Sequence, residues 1–247
     1  MATRILTETE EDPATPENVI DIYFGESMNK VAKIGTPRRP WDIEHVWPSS
    51  RGFAEEGACN VPLSDAHHLF AAHPIANGSS GHSNHPFDDC HHDCTPMPSG
   101  TPSPNQNQRG EDADGRDVFE VWIERRGDIA RALFYMDVRY DGGPTSAVMP
   151  SAGACDDEPK LQLGENVPES SGGPPFDEIV RYGRLSTLVR WALQDQVDGR
   201  ERRRNDIIGR RDMQGNRNPF IDDSGLICRM YPVGPCRPLF LPSVVRP

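Results

Sequence analysis

Hydrophobic and polar positions along this chain alternate in short bursts rather than long runs. Residues 18–24 (NVIDIYF) and 41–47 (WDIEHVW) interleave β-branched and aromatic residues with polar ones, as short strands do. A different period governs 128–140 (DIARALFYMDVRY). There Ile129, Ala132, Leu133, Met136 and Tyr140 recur at helical spacing, and Asp128 suits the positive end of the helix dipole. Leu185, Leu188, Val189 and Ala192 mark a second amphipathic helix, and 200–211 reads as a third, polar one. Residues 65–76 (DAHHLFAAHPIA) are apolar enough to be buried although they carry three histidines, and 77–84 is a Gly/Ser turn region. The stretches near 88–116 and 141–175 lack any period and read as loop insertions, and the acidic start is expected to fray. Informative segments flank both insertions and no repeat recurs. The pattern therefore predicts one α+β domain over residues 1–247, with additional helices and long loops.

Composition sharpens this picture. With 24 Pro, 22 Gly and a hydrophobic fraction of 35%, much of the chain must be irregular. No run approaches the roughly 20 apolar residues of a membrane span, so a membrane is not an expected partner and the chain is read as a monomer. A net charge of −12 argues against a polyanion, because phosphate contacts need Lys or Arg. Seven arginines between 200 and 217, against Glu201, Asp206 and Asp212, nevertheless predict a local basic stripe. Lysine occurs at Lys30, Lys33 and Lys160 alone; arginine's fork suits phosphate, although a compositional bias gives the same deficit. Six cysteines (Cys59, Cys90, Cys94, Cys155, Cys228, Cys236) in Pro- and Gly-rich stretches predict at least one disulfide, with no pairing readable. The start MATRILTETEEDPATPEN lacks a leader's apolar core, so either a leader has been removed or the protein stays inside.

Glu44 and His45 pair a hard oxygen ligand, suited to Mg²⁺ or Ca²⁺, with an imidazole able to take a proton near neutral pH. Adjacent residues of a strand point to opposite faces, so a shared phosphate would require a bend or bulge here. Residues 90–94 (CHHDC) invite a zinc reading, but a Cys-x₃-Cys pair without a partner pair at finger spacing favours a disulfide or free thiols.

WDIEHVWPSS resembles the signature of the bacterial endonuclease I family, and SDAHHLFAAHPIAN, RGDIARALFYMDVRY and ERRRNDIIGRRDMQGNRNPFID resemble its later blocks in order. The resemblance implies a ββα-metal (His-Me finger) core. It makes His45 the general base, Glu44 and Asn77 the ligands of one Mg²⁺ (or Ca²⁺ or Mn²⁺), and DNA, with RNA as the alternative, the substrate. It further implies a secreted or periplasmic protein and supporting roles for Asp65 and His67, while His68 and His73 read as packing. Two departures remove positive charge: Asp42 and Ile43 stand where the family has Asn-Arg, and NGSSGHSN lacks the family's arginine, leaving His82 nearest. Arg51, Arg131 and Arg217 are the candidates for its phosphate contact, and Asn84 replaces Asn77 if the alignment slips. A catalytically weakened nucleic-acid-binding relative and a zinc-stabilised interaction protein stand as rival readings.

Overall fold

The computed structural model describes residues 2–31, 40–53, 61–97, 107–141, 160–167 and 179–237. The chain opens with a helix rather than a frayed end. In α1 (Ala2–Thr9) the buried Ile5 and Leu6 face the interior, and Glu10 behind them is also buried. A three-stranded antiparallel sheet follows: β1 (Glu11–Asp12), β2 (Thr15–Ile20) and β3 (Ser27–Asn29). The strand expected over 18–24 stops at Ile20 because Asp21 turns the chain, its carboxylate accepting from the backbone N–H of Tyr23 and Phe24 at 2.9 Å each.

Next come β4 (Asp42–His45) and its antiparallel partner β5 (Leu69–Ala72), followed by one helical turn, α2 (Pro74–Asn77). Proline at the first turn and the His73 side chain, accepting from the Ile75 N–H at 3.2 Å, fix the start of α2. The insertion near 88–116 is not wholly loop. It carries β6 (His92–Pro96) and β7 (Gln108–Glu111), which pair antiparallel with each other and, through β7, with β8 (Asp117–Glu120). Of the insertion near 141–175, 142–159 and 168–175 lie outside the described residues.

The core is built around α3 (Arg126–Arg139), in which every residue from Gly127 to Met136 is buried. One apolar face predicts a surface helix. This one is central instead, covered by β9 (Lys160–Gly164), which pairs parallel with β10 (Ile179–Arg184), and by α4 (Leu185–Gln194). Its polar members survive by pairing: Arg131, fully buried, meets the Glu201 carboxylate at 2.7 and 2.5 Å. The chain ends in α5 (Gly199–Ile208), α6 (Pro219–Asp222) and α7 (Leu226–Met230).

Disulfides join Cys90 to Cys94 and Cys228 to Cys236. The CHHDC segment therefore presents no thiolate to zinc. Cys59 and Cys155 lie outside the described residues.

The basic stripe is the largest correction. Arg200 reaches the Glu10 carboxylate at 2.7 Å, Arg203 reaches Glu11 at 3.4 Å, and Arg204 is paired with the same buried Glu10. Arg210 is paired with Glu8 and Asp212, and Arg217 with Asp206 and Asp222. Five of the seven arginines thus have carboxylate partners. Many of those partners sit in the acidic start, some 190 residues away, which is why local counting read the stripe as free.

Candidate active site

β4 and β5 present the two candidate residues in unbroken register, from Asp42↔Ala72 to His45↔Leu69. The expected bulge is absent from this pairing, so Glu44 and His45 leave the strand on opposite faces. Glu44 is 1% exposed and turns inward. Its Oε1 accepts from the Tyr23 hydroxyl at 2.7 Å and from His82 Nδ1 at 2.5 Å. His82 is itself buried, stacked on Phe87 at 4.2 Å, and bonded through Nε2 to the Tyr182 hydroxyl at 2.6 Å, which donates to the His85 carbonyl. His82 is therefore no free cation replacing the family's arginine but a strut holding the carboxylate.

Asn77, at the end of α2, donates its amide to the Ile43 carbonyl at 3.3 Å, which seats it beside β4 next to Glu44. Its Oδ1 and the Glu44 Oε2 are left without hydrogen bonds among the described residues. Two hard oxygens and no nitrogen or sulfur suit an oxygen-seeking divalent cation such as Mg²⁺. Asn84 is exposed, and its backbone carbonyl accepts from Arg51 Nε at 3.0 Å.

His45, on the other face, lies edge-on to His68 at 5.5 Å between ring centroids, with its ring bonded to the Leu63 carbonyl. Burial lowers its pKa below the ordinary histidine value, and nearby Glu44 opposes that only in part. A carbonyl on one ring nitrogen leaves the other with its lone pair, the state a proton acceptor needs.

Asp65 and His67 are not in contact with Glu44. Asp65 caps the turn Ala66–His68 and accepts from Tyr135 and Tyr140 at 2.8 Å each and from Gln214 at 2.8 Å. His67 is bonded to the Asn216 carbonyl at 3.2 Å and stacks on Tyr135 at 4.4 Å. This network ties the strand carrying His45's partner to α3 and to the loop after α5. Burial depresses His67 to about 4 and His68 to about 3, so both are neutral at pH 7.

Of the arginine candidates, Arg131 is saturated by Glu201 and by the carbonyls of Ala192 and Asp195, and Arg217 is held by two carboxylates. Arg51, 2% exposed, packs over the Tyr182 ring at 5.3 Å. Sequence reasoning missed Arg109 on β7, whose Nη1 donates to Ser79 in the loop after Asn77 at 2.6 Å. It also missed Tyr23 and Tyr182. Nothing in local spacing marks these residues, because each arrives from a separate element.

Residues 4–225 match the Endonuclease I family. The chain is also similar to two proteins named extracellular ribonuclease, at 40% identity for that of Bacillus amyloliquefaciens and 37% for that of Bacillus subtilis (strain 168). Each alignment covers 88% of this chain and 62% of the relative, so the chain spans under two thirds of their length.

Proposed function

Because the chain belongs to the endonuclease I family, we propose that it is a divalent-metal-dependent endonuclease hydrolysing RNA and DNA phosphodiesters, with a ββα-metal core made by β4, β5 and α2. The observation that carries the reading is the placement of Glu44 and Asn77, each with one uncommitted oxygen, beside the strand that bears a half-buried, carbonyl-anchored His45. The relatives' name, extracellular ribonuclease, supports RNA as a substrate and a secreted protein.

His45, the last residue of β4, leaves the strand opposite Glu44 yet lies near enough to feel its charge, so the two meet one phosphate around the strand's end; there His45 takes a proton from the attacking water, with the Leu63 carbonyl fixing its ring. Glu44 Oε2 and Asn77 Oδ1 hold the cation, while Tyr23 and His82 fix the other carboxylate oxygen and so orient the first. Mg²⁺, Ca²⁺ or Mn²⁺ bound there supplies positive charge against the phosphate and the departing 3′ oxygen. Arg109 replaces the family's arginine as the phosphate contact, with Arg51 behind it. Because the contacts are to the backbone, bulk cleavage follows phosphate rather than sequence.

Incubation of supercoiled plasmid and of a single-stranded RNA with Mg²⁺, with and without chelator, tests this. Chelator-sensitive cleavage is expected. Binding without cutting would instead favour the weakened relative, a reading to which the paired arginines lend weight.

A further inference from the structure

Beyond the His82–Tyr182 strut lies an open cavity of about 110 Å³, and Arg51, Asn84 and His85 form its wall nearest the reaction centre. Its three arginines suggest phosphate at first sight, but Arg184 and Arg116 are already charge-paired, and Arg51 belongs to the reaction centre. Arg184 is neutralised by Asp88, Asp112 and Asp114, and Arg116 contacts Asp114 at 3.2 Å. The carboxylate of Asp117, exposed on β8 and near the His85 ring, accepts no hydrogen bond among the described residues and would repel a phosphate. Pro86, Val118 and Val167 supply apolar wall. The combination calls for a flat, neutral ligand that brings adjacent donors to a carboxylate and acceptors to a guanidinium.

We propose that this cavity is a subsite for a guanine base of the bound nucleic acid, with Asp117 accepting from N1–H and N2–H and Arg116 donating to O6. Guanine alone among the common bases sets two donors side by side next to such an acceptor. Adenine turns the lone pair of N1 toward the carboxylate, and uracil offers a single N–H between two carbonyls. Three hydrogen bonds, His85 carbonyl to Tyr182 hydroxyl to His82 ring to Glu44 carboxylate, join the cavity wall to the reaction centre. The ligand proposed is therefore a base near the scissile phosphate. The inference rests on the nuclease reading for its ligand, and it adds a base preference to a backbone-directed site.

Titration of the protein with GMP, IMP, AMP and UMP, followed by calorimetry or amide shifts, measures the subsite without any cleavage. GMP should bind at least about tenfold more tightly than IMP, which lacks the N2 donors, and than AMP or UMP. The substitution Asp117→Asn, exposed on β8, should erase that preference while leaving the thermal unfolding temperature unchanged. Equal binding of all four nucleotides, displacement of GMP by inorganic phosphate at comparable concentration, or a preference that survives Asp117→Asn would each overturn the proposal. Intact cleavage with no guanine preference sinks the subsite alone. Absence of cleavage sinks the nuclease reading, while the titration still decides the subsite.

Discussion

Glu10→Gln tests whether the arginines of α5 serve the fold or the ligand. Glu10 is fully buried and meets both Arg200 and Arg204; Arg204, 4% exposed, also donates to the carbonyls of Ala66 and, at 2.7 Å, Leu69. The pair thus clamps α5 to the turn and strand beneath His45. Burial pushes the Glu10 carboxyl up, but Arg204 and Arg200 outweigh it and hold the group ionised, below its ordinary value. Glutamine keeps the volume and removes the charge, leaving a buried guanidinium without its counterion. Breaking a buried pair in this way costs about 3–5 kcal/mol. For a chain of 247 residues that is a fall in Tm of roughly 6–20 °C. The control is Arg202→Ala, since Arg202 is exposed and its guanidinium has no partner among the described residues. It should move Tm by no more than about 2 °C and weaken nucleic-acid binding. Thermal unfolding at pH 7 and binding to a short oligonucleotide in the His45→Ala background read both effects. A Glu10→Gln protein that keeps its Tm and binds nucleic acid more tightly would show the arginines to be a phosphate surface after all.

Further outcomes follow from the same geometry. His45→Ala should lower turnover by about 10² to 10⁴ at every Mg²⁺ concentration, whereas Glu44→Ala and Asn77→Ala should recover partly as Mg²⁺ is raised; recovery by Asn84→Ala instead would move the ligand. Tyr182→Phe, which frees His82 Nε2, should weaken Mn²⁺ binding measured by calorimetry, and an unchanged affinity would remove the strut's role. His67 is depressed in the fold to about 4, so its contribution to stability is complete above pH 6.5 and is lost as pH falls toward 4. His67→Gln should accordingly flatten the fall in unfolding free energy over that window by up to about 1.4 kcal/mol per pH unit, and an unaltered slope would contradict its burial as neutral imidazole. Denatured, unreduced protein should titrate at most two of its six thiols, given the two pairs described.

The helices were legible because their apolar spacing is local. Ile129, Leu133 and Met136 declare α3 without reference to the rest of the chain, though not that it is buried on every side, since that depends on what packs around it. Glu44, His45 and Asn77 were nameable from their blocks. Their orientation was not: the regular register of β4 against β5 sends Glu44 inward to Tyr23 and His82, and only the tertiary fold brings those rings there. The acidic start and the arginine stripe were each read correctly as charge and wrongly as surface. Neither segment reports that the other is its partner.

That partnership has a bearing on how the chain is made. Glu10 leaves the ribosome 194 positions before Arg204, a lag of about 10–40 s at ordinary rates of synthesis. During that time the carbonyls of Ala66 and Leu69 lack the donor that will satisfy them, and Ile5 has no Ile207 or Ile208 to rest on. Leu6 can still pack with Val19, Trp41 and Leu69, but the seat of Glu10 stays open until α5 arrives. In that order of arrival α5 is a late clasp, closing over Glu10 and over the turn and strand beneath His45.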